Sequence, residues 1–204
     1  MEDILVRALC KQFEGKTVLR DFSASFAAGQ TTCVMGRSGC GKTTLLNILM
    51  GFLAPDAGQI TGIPPRLSAV FQEDRLLDGF CARTNISFVC PQLSAQEIDR
   101  HLAAVGLTMD AAQPVSELSG GMRRRVAIVR AVLANGDLLL LDEPFKGLDE
   151  STRAMVAEYL RAETAGRTVI MVTHDPDEVA LMGGRLLKME PAAPDTNTDP
   201  RSPA

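Results

Sequence analysis

The sequence predicts an α/β fold, with a mostly parallel core sheet, an N-terminal antiparallel β subdomain and an inserted helical subdomain. Three observations point there. Strand-like and helix-like segments alternate from Thr31 to Met50 and again from Gly120 to Met189. The later strands, Leu138–Leu141 above all, are apolar at every position, the pattern of strands buried on both faces. Between about Glu73 and Glu117 the β signal disappears and helical periodicity takes its place.

The elements follow in order. Ile4 to Phe26 holds short β-rich runs, Phe22–Phe26 among them, broken at Glu14-Gly15-Lys16. A strand over Thr31–Met35 ends in a glycine-rich loop, and Lys42–Met50 reads as a helix closed by Gly51. Pro55, Gly58, Gly62, Pro64 and Pro65 predict a turn-rich stretch, and a strand over Ser68–Phe71 follows it. Inside the insertion, Ser94-Ala-Gln-Glu97 is a capping box, after which Ile98, Leu102 and Val105 form one apolar stripe. Then come a helix over Gly120–Leu133, the strand Leu138–Leu141, a helix capped by Asp149 and a strand over Thr168–Thr173. A short helix after Pro176 and a strand near Arg185–Met189 complete the pattern. Residues 1–190 therefore read as one domain carrying an insertion at about 73–117. Residues 191–204, with four prolines and no apolar pattern, read as a disordered tail.

Composition narrows the function classes. A chain of 204 residues, 46% apolar and 23% charged, suits one soluble globular domain with a substantial core. A net charge of -4, no Trp and a single Tyr leave neither the phosphate-neutralising charge nor the stacking surface of a nucleic-acid binder. The start Met1-Glu2-Asp3 lacks the basic lead of a signal peptide, and no apolar run reaches the ~20 residues that span a bilayer. A cytoplasmic chain is expected, with any membrane role arising through a partner. Cys10, Cys33, Cys40, Cys81 and Cys90 have no zinc-like spacing and read as reduced thiols.

Gly36-Arg37-Ser38-Gly39-Cys40-Gly41-Lys42-Thr43, followed by Thr44, matches the phosphate-loop pattern in full, between a strand and a helix. Glycines let the backbone turn its N–H groups inward around phosphates, and the helix N-terminus adds partial positive charge. Lys42 is expected to reach the β- and γ-phosphates and the Thr43 hydroxyl to ligate Mg²⁺. At the C-terminal end of the leucine strand, Asp142 and Glu143 enter the crevice where such sheets bind ligands. Asp142 suits the Mg²⁺ shell, and Glu143 can polarise an attacking water. Together the two motifs indicate a phosphate-loop NTPase.

Leu118-Ser119-Gly120-Gly121-Met122 narrows this further. Ser119 caps a helix whose first N–H groups, at Gly120 and Gly121, are open to a phosphate. Here the chain resembles the ATP-binding cassette (ABC) family, whose signature this is, and every motif from Ile4 to about Met189 stands in family order. The resemblance implies that this helix start faces the γ-phosphate held by a second copy, so that two ATP molecules are sandwiched in a head-to-tail homodimer. It also implies that Gln72 senses Mg²⁺ and water, that His174 contacts the γ-phosphate, and that Asp149 belongs to a loop crossing the dimer interface. Phe13 stands where the family stacks an aromatic ring on adenine. His101 has no partner motif and is expected at the surface, and Arg123, Arg124 and Arg125 read as a solvated or partner-facing run.

Three departures from the family pattern are visible. Only thirty residues separate Lys42 from Gln72, Lys146-Gly147 stands before Leu148-Asp149 where small residues are usual, and no regulatory domain is expected after the core. The resemblance is strongest to the ATPases of taurine, sulfonate, nitrate and thiamine-precursor importers, through Val70-Phe-Gln72-Glu-Asp-Arg75-Leu-Leu77. It implies separate transmembrane permease subunits, a substrate-binding protein and a peripheral place on the inner face of the cell membrane. Two other readings stand beside it: a cassette acting in DNA repair, chromosome organisation or translation, and one serving cell division or lipoprotein release. The first of these usually carries a long coiled coil or a second cassette, and this chain has neither.

Overall fold

The computed structural model describes residues 2–108 and 113–192. The tail expected over 191–204 lies, from 193 onward, outside the described residues, as does the 109–112 stretch of the insertion.

The chain opens with a hairpin. Strand β1 (Ile4–Phe13) pairs antiparallel with β2 (Lys16–Phe26), Phe13 opposite Lys16. Glu14 and Gly15 both turn with positive φ, 48° and 80°, as a two-residue hairpin loop requires. Strand β3 (Thr31–Met35) and helix α1 (Lys42–Leu49) flank the glycine-rich loop. Strand β4 (Ala57–Thr61) lies in the stretch expected to be turn-rich, where the sequence singles out no strand. It adds to the free edge of β1, with Leu5 opposite Thr61, and completes a three-stranded antiparallel sheet in the order β2-β1-β4. Four of its five residues are exposed, so no apolar alternation betrays it in the sequence.

The remaining elements build the core. They are β5 (Leu67–Val70), α2 (Ala82–Ser87), α3 (Ala95–Ala104), α4 (Gly120–Leu133), β6 (Leu138–Asp142), α5 (Glu150–Glu163), β7 (Thr168–Thr173), α6 (Pro176–Met182) and β8 (Arg185–Lys188). The second sheet runs β5-β6-β7-β3-β8, and every pairing in it is parallel. Side chains of its central strands alternate between two apolar cores. Leu139, Leu141, Val169 and Met171 face the core shared with α3, α4 and α5. Leu138, Leu140, Ile170 and Val172 face the one shared with α1 and the β1–β2 hairpin. All eight are fully buried, which is why these strands carry no polar alternation. Truncating one such Leu to Ala costs about 2–5 kcal/mol.

Capping residues end the helices where the sequence places them. Ser94 and Glu97 form the complete capping box of α3. Ser119 accepts from the Met122 N–H at 3.3 Å at the start of α4, and Asp149 accepts from the Thr152 N–H at 3.0 Å at the start of α5. His101 departs from expectation. It is half-buried between α3 and α5, with Nδ1 3.1 Å from the Tyr159 hydroxyl and its ring edge-on to the tyrosine. No helix among the described residues is long and apolar enough to cross a membrane.

Candidate nucleotide site

Parallel strands bring their C-terminal ends to one edge of the sheet. β3 leads there into the Gly36–Gly41 loop, β5 into Gln72, β6 into Asp142 and Glu143, and β7 into His174. Between them lies a cleft of about 320 Å³, lined by Phe13, Val18, Ser38, Gly39, Gly41, Lys42, Thr43, Thr44, Gln72, Asp142 and Glu143. All of these except Val18 are predicted site residues, so the fold brings together positions as far apart in the chain as Phe13 and Glu143.

The loop's geometry depends on two glycines. Gly41 caps α1 at φ 100°, where a Cβ would strike Leu19 at 2.8 Å. Gly36 passes so close to the Met189 carbonyl and the Cys40 sulfur that a Cβ there has no room. Cys40 itself is buried behind the loop, while Arg37, Ser38 and Gly39 are exposed on its outer side. Lys42 is only 7% exposed, and its ammonium donates to the carbonyls of Gly36 at 2.7 Å and Arg37 at 3.1 Å. The loop therefore holds the cation at the mouth of the helix in advance of any ligand.

Asp142 is buried at the end of β6, and the Thr43 hydroxyl hydrogen-bonds its carboxylate. Burial raises its pKa above the ordinary carboxylate value, the neighbouring Glu143 charge adds to the rise, and Thr43 and Lys42 oppose it. Glu143 takes φ 46°, a left-handed conformation uncommon outside glycine, and its N–H donates to the Val172 carbonyl at 3.1 Å. That turn aims its carboxylate off the strand axis toward His174, whose Nδ1 lies 3.0 Å from Glu143 Oε1. Such strain clusters at functional sites. Thr173 and the buried Glu178 hydrogen-bond beneath His174 and fix the turn that carries it.

Other predicted residues lie outside the cleft. Ser119 and Gly120 are exposed and Gly121 is half-buried at the start of α4, and none of the three lines it. Asp149 does not line it either. Its carboxylate accepts from Ser151, from Thr152 Oγ1 and from the Thr152 N–H, bonds that hold its pKa well below the usual range. Phe13 is 44% exposed at the rim, with Lys11 Nζ 5.5 Å from its ring centroid.

The arginine run contradicts the sequence expectation. Arg124 is buried and Arg123 and Arg125 are half-buried. Arg123 donates to the Val115 carbonyl at 2.9 Å and pairs with Asp78, and Arg125 donates to the Val105 carbonyl at 2.8 Å. Arg124 donates to the Phe71 and Gln72 carbonyls at 2.6 and 2.8 Å. These are clamps between segments, and a count of charges along the chain misses them. Helical phase could have found the deepest one. Ala127, Ile128 and Ala131, three, four and seven positions after Arg124, are all apolar and buried, which puts Arg124 on the inner face.

The fold and this cleft define a phosphate-loop NTPase. Residues 19–146 match the family model described as ABC transporter. The chain is 37% identical over 201 residues to the taurine import ATP-binding protein TauB of Yersinia pestis, covering 91% of this chain and 79% of that one. It is 41% identical over 188 residues to the nitrate import ATP-binding protein NrtD of Synechococcus elongatus, covering 84% and 69%. A solved dimeric bacterial ABC transporter cassette has the same fold, with a TM-score of 0.82 at 24% identity over 92% of this chain and 94% of that one. A bacterial Atm1-family ABC exporter with ATP bound matches equally, TM-score 0.82 at 24% identity, but the chain spans only 38% of its length. The chain belongs to the ABC transporter family, as its ATP-binding cassette.

Proposed function

We propose that this cassette is the ATP-hydrolysing subunit of an importer. It works as a head-to-tail homodimer on the inner face of the cell membrane, against separate permease subunits served by a substrate-binding protein, and it has no nucleic-acid partner. The importer reading rests on the import subunits among its relatives. The dimer reading rests on one observation: a second phosphate-type helix start, Ser119–Gly121, stands exposed and outside the cleft that holds the phosphate loop. One ATP needs both, and a two-fold dimer supplies them, each copy offering its signature to the other's nucleotide. The loop containing Asp149, with the exposed Lys146, would then lie along the same interface. An exposed apolar patch at Leu77, Phe80, Phe88 and Val89, following Gln72, suits docking of the permease.

In this reading ATP stacks its base on Phe13 and lays its phosphates in the Gly36–Thr43 loop, with Thr44 beside them. Among the described residues no cluster of three or more His, Cys, Asp or Glu could cage a metal by itself. The oxygen donors present, the Thr43 hydroxyl, the Asp142 carboxylate and the Gln72 amide, fit Mg²⁺ completed by phosphate oxygens and water. Mg²⁺ bound there would neutralise charge on the phosphates. Glu143 accepts a proton as water attacks the γ-phosphorus, and the bond to the bridging oxygen breaks, leaving ADP and phosphate. Lys42 faces the developing negative charge, and His174 orients Glu143 and the γ-phosphate.

The test is a pair of variants. Glu143→Gln keeps the side chain's shape and removes the base. It should bind ATP, fail to turn over, and accumulate as an ATP-dependent dimer by size-exclusion chromatography with light scattering. Adding Ser119→Arg should abolish that dimer and leave ATP binding to the monomer intact. Normal turnover by Glu143→Gln, or loss of monomer binding on Ser119→Arg, would overturn the shared-site mechanism.

A further inference from the structure

Arg124 sits on the second turn of α4, five residues after Ser119, with only 5% of its side chain exposed. A buried guanidinium must spend its donors on acceptors and its charge on a counter-ion. One Nη donates to the Phe71 carbonyl at 2.6 Å, the other to the Gln72 carbonyl at 2.8 Å, and the Asp74 carboxylate lies 3.2 Å from Nη1. Further along the helix, Arg130 donates to the Asp74 and Arg75 carbonyls, both at 2.9 Å. Two side chains of α4 therefore hold four backbone carbonyls between Phe71 and Arg75. Asp74 Oδ1 is shut off from solvent with no well-shaped hydrogen bond of its own, so the arginine charges answer it through space.

This clamp joins two parts of the site that the fold otherwise keeps separate. Gln72 lines the cleft beside Asp142, Glu143 and Thr43. Ser119–Gly121 begins the helix that carries Arg124 and stands outside the cleft. Five residues of α-helix span about 7.5 Å and bend little, so a displacement of the helix start is passed directly to the Gln72 backbone. A solvated arginine at the same place would pass nothing to that backbone.

We infer that Arg124 is a positioning residue for Gln72: it ties the Gln72 backbone to the helix that begins at Ser119–Gly121, so that the Gln72 amide is set for Mg²⁺ and the attacking water only when that helix is seated. The inference rests on the reading of Gln72 proposed above and adds a route by which a partner engaging Ser119–Gly121 switches hydrolysis on.

The test is a double-mutant cycle on the purified chain, reading kcat and KM for ATP, the affinity for a fluorescent ATP analogue, and Tm. Arg124→Met keeps length and removes the donors. It should lower kcat tenfold or more while analogue affinity stays within twofold. Arg124→Lys keeps the charge but cannot span two carbonyls, and kcat should fall between the two. Combined with Gln72→Ala, Arg124→Met should slow the enzyme no more than twofold beyond Gln72→Ala alone, because both act through one side chain. If Arg124→Met unfolds the protein, Arg124→Lys takes its place in the cycle. Losses that multiply in the double variant, an unchanged kcat, or analogue affinity that falls in step with kcat would overturn the inference. A wild-type rate in Gln72→Ala alone would instead remove the Gln72 reading on which it stands.

Discussion

Lys42→Ala separates what the phosphate loop does for the fold from what it does for the nucleotide. The ammonium is buried and held by the Gly36 and Arg37 carbonyls at 2.7 and 3.1 Å, so it reaches a phosphate by exchanging one set of acceptors for another. A hydrogen bond to a charged group contributes about 1.5–3 kcal/mol, which is roughly 10- to 150-fold in Kd. At an ATP concentration of about 100 times Kd, binding stabilises the folded protein by about 2.7 kcal/mol. For a chain of this size each kcal/mol moves Tm by about 2–4 °C, so Mg-ATP should raise the wild-type Tm by roughly 5–11 °C. If the substitution weakens Kd about 100-fold, the same ATP concentration gives only about 0.4 kcal/mol, or about 1 °C. The nucleotide-free variant should also melt lower than wild type, since two loop carbonyls lose their donor. Differential scanning fluorimetry with and without Mg-ATP reads both numbers. A full ATP-induced shift in Lys42→Ala would refute the placement of the β- and γ-phosphates on this loop.

Two further outcomes follow from the site. Asp142 is a buried carboxylate with its folded-state pKa raised above the ordinary 3.8, so the folded protein binds its proton more tightly than the unfolded chain and stability falls as pH rises through that window. Asp142→Asn should therefore raise the nucleotide-free Tm near pH 8, by about 2–4 °C for each kcal/mol of relief, and abolish hydrolysis. The gain should shrink as pH falls toward 3.8, and a Tm that drops at pH 8 would contradict the burial argument. Phe13→Ala should weaken ATP by roughly 5- to 150-fold, the range of about 1–3 kcal/mol for one base stacked on an aromatic ring. Competition by inorganic tripolyphosphate should be unchanged, and an equal loss for both ligands would remove Phe13 from the base site.

How much of this was legible in the sequence depended on how local the signal was. Ser94, Ser119 and Asp149 announce their helices because a cap acts on N–H groups two or three residues away. The four leucines of β6 announce a doubly covered strand because each face needs an apolar side chain, and the structure divides them evenly between two cores. The phosphate loop was legible as a complete local motif and Gln72 only through the family resemblance, while Asp142 and Glu143 were placed because parallel strands oblige their C-terminal ends to share an edge. Strand β4 was not legible, because it is an edge strand with an exposed pattern and a glycine at φ 94°, held by its pairing to β1 and not by its own side chains.

The arginines of α4 show a different failure, one of phase and not of distance. A basic run reads as surface when its letters are counted, because Arg is rarely buried. On a helix, however, consecutive residues point about 100° apart, so three adjacent arginines cannot share one environment. Arg124 falls in register with Ala127, Ile128 and Ala131 and is carried inward, where an Arg persists only if acceptors wait for it. Those acceptors are the backbone carbonyls of Phe71 and Gln72, more than fifty residues earlier in the chain. The burial was available from periodicity. What it was for required the fold, because only the fold brings the loop after β5 beneath the helix that Ser119 begins.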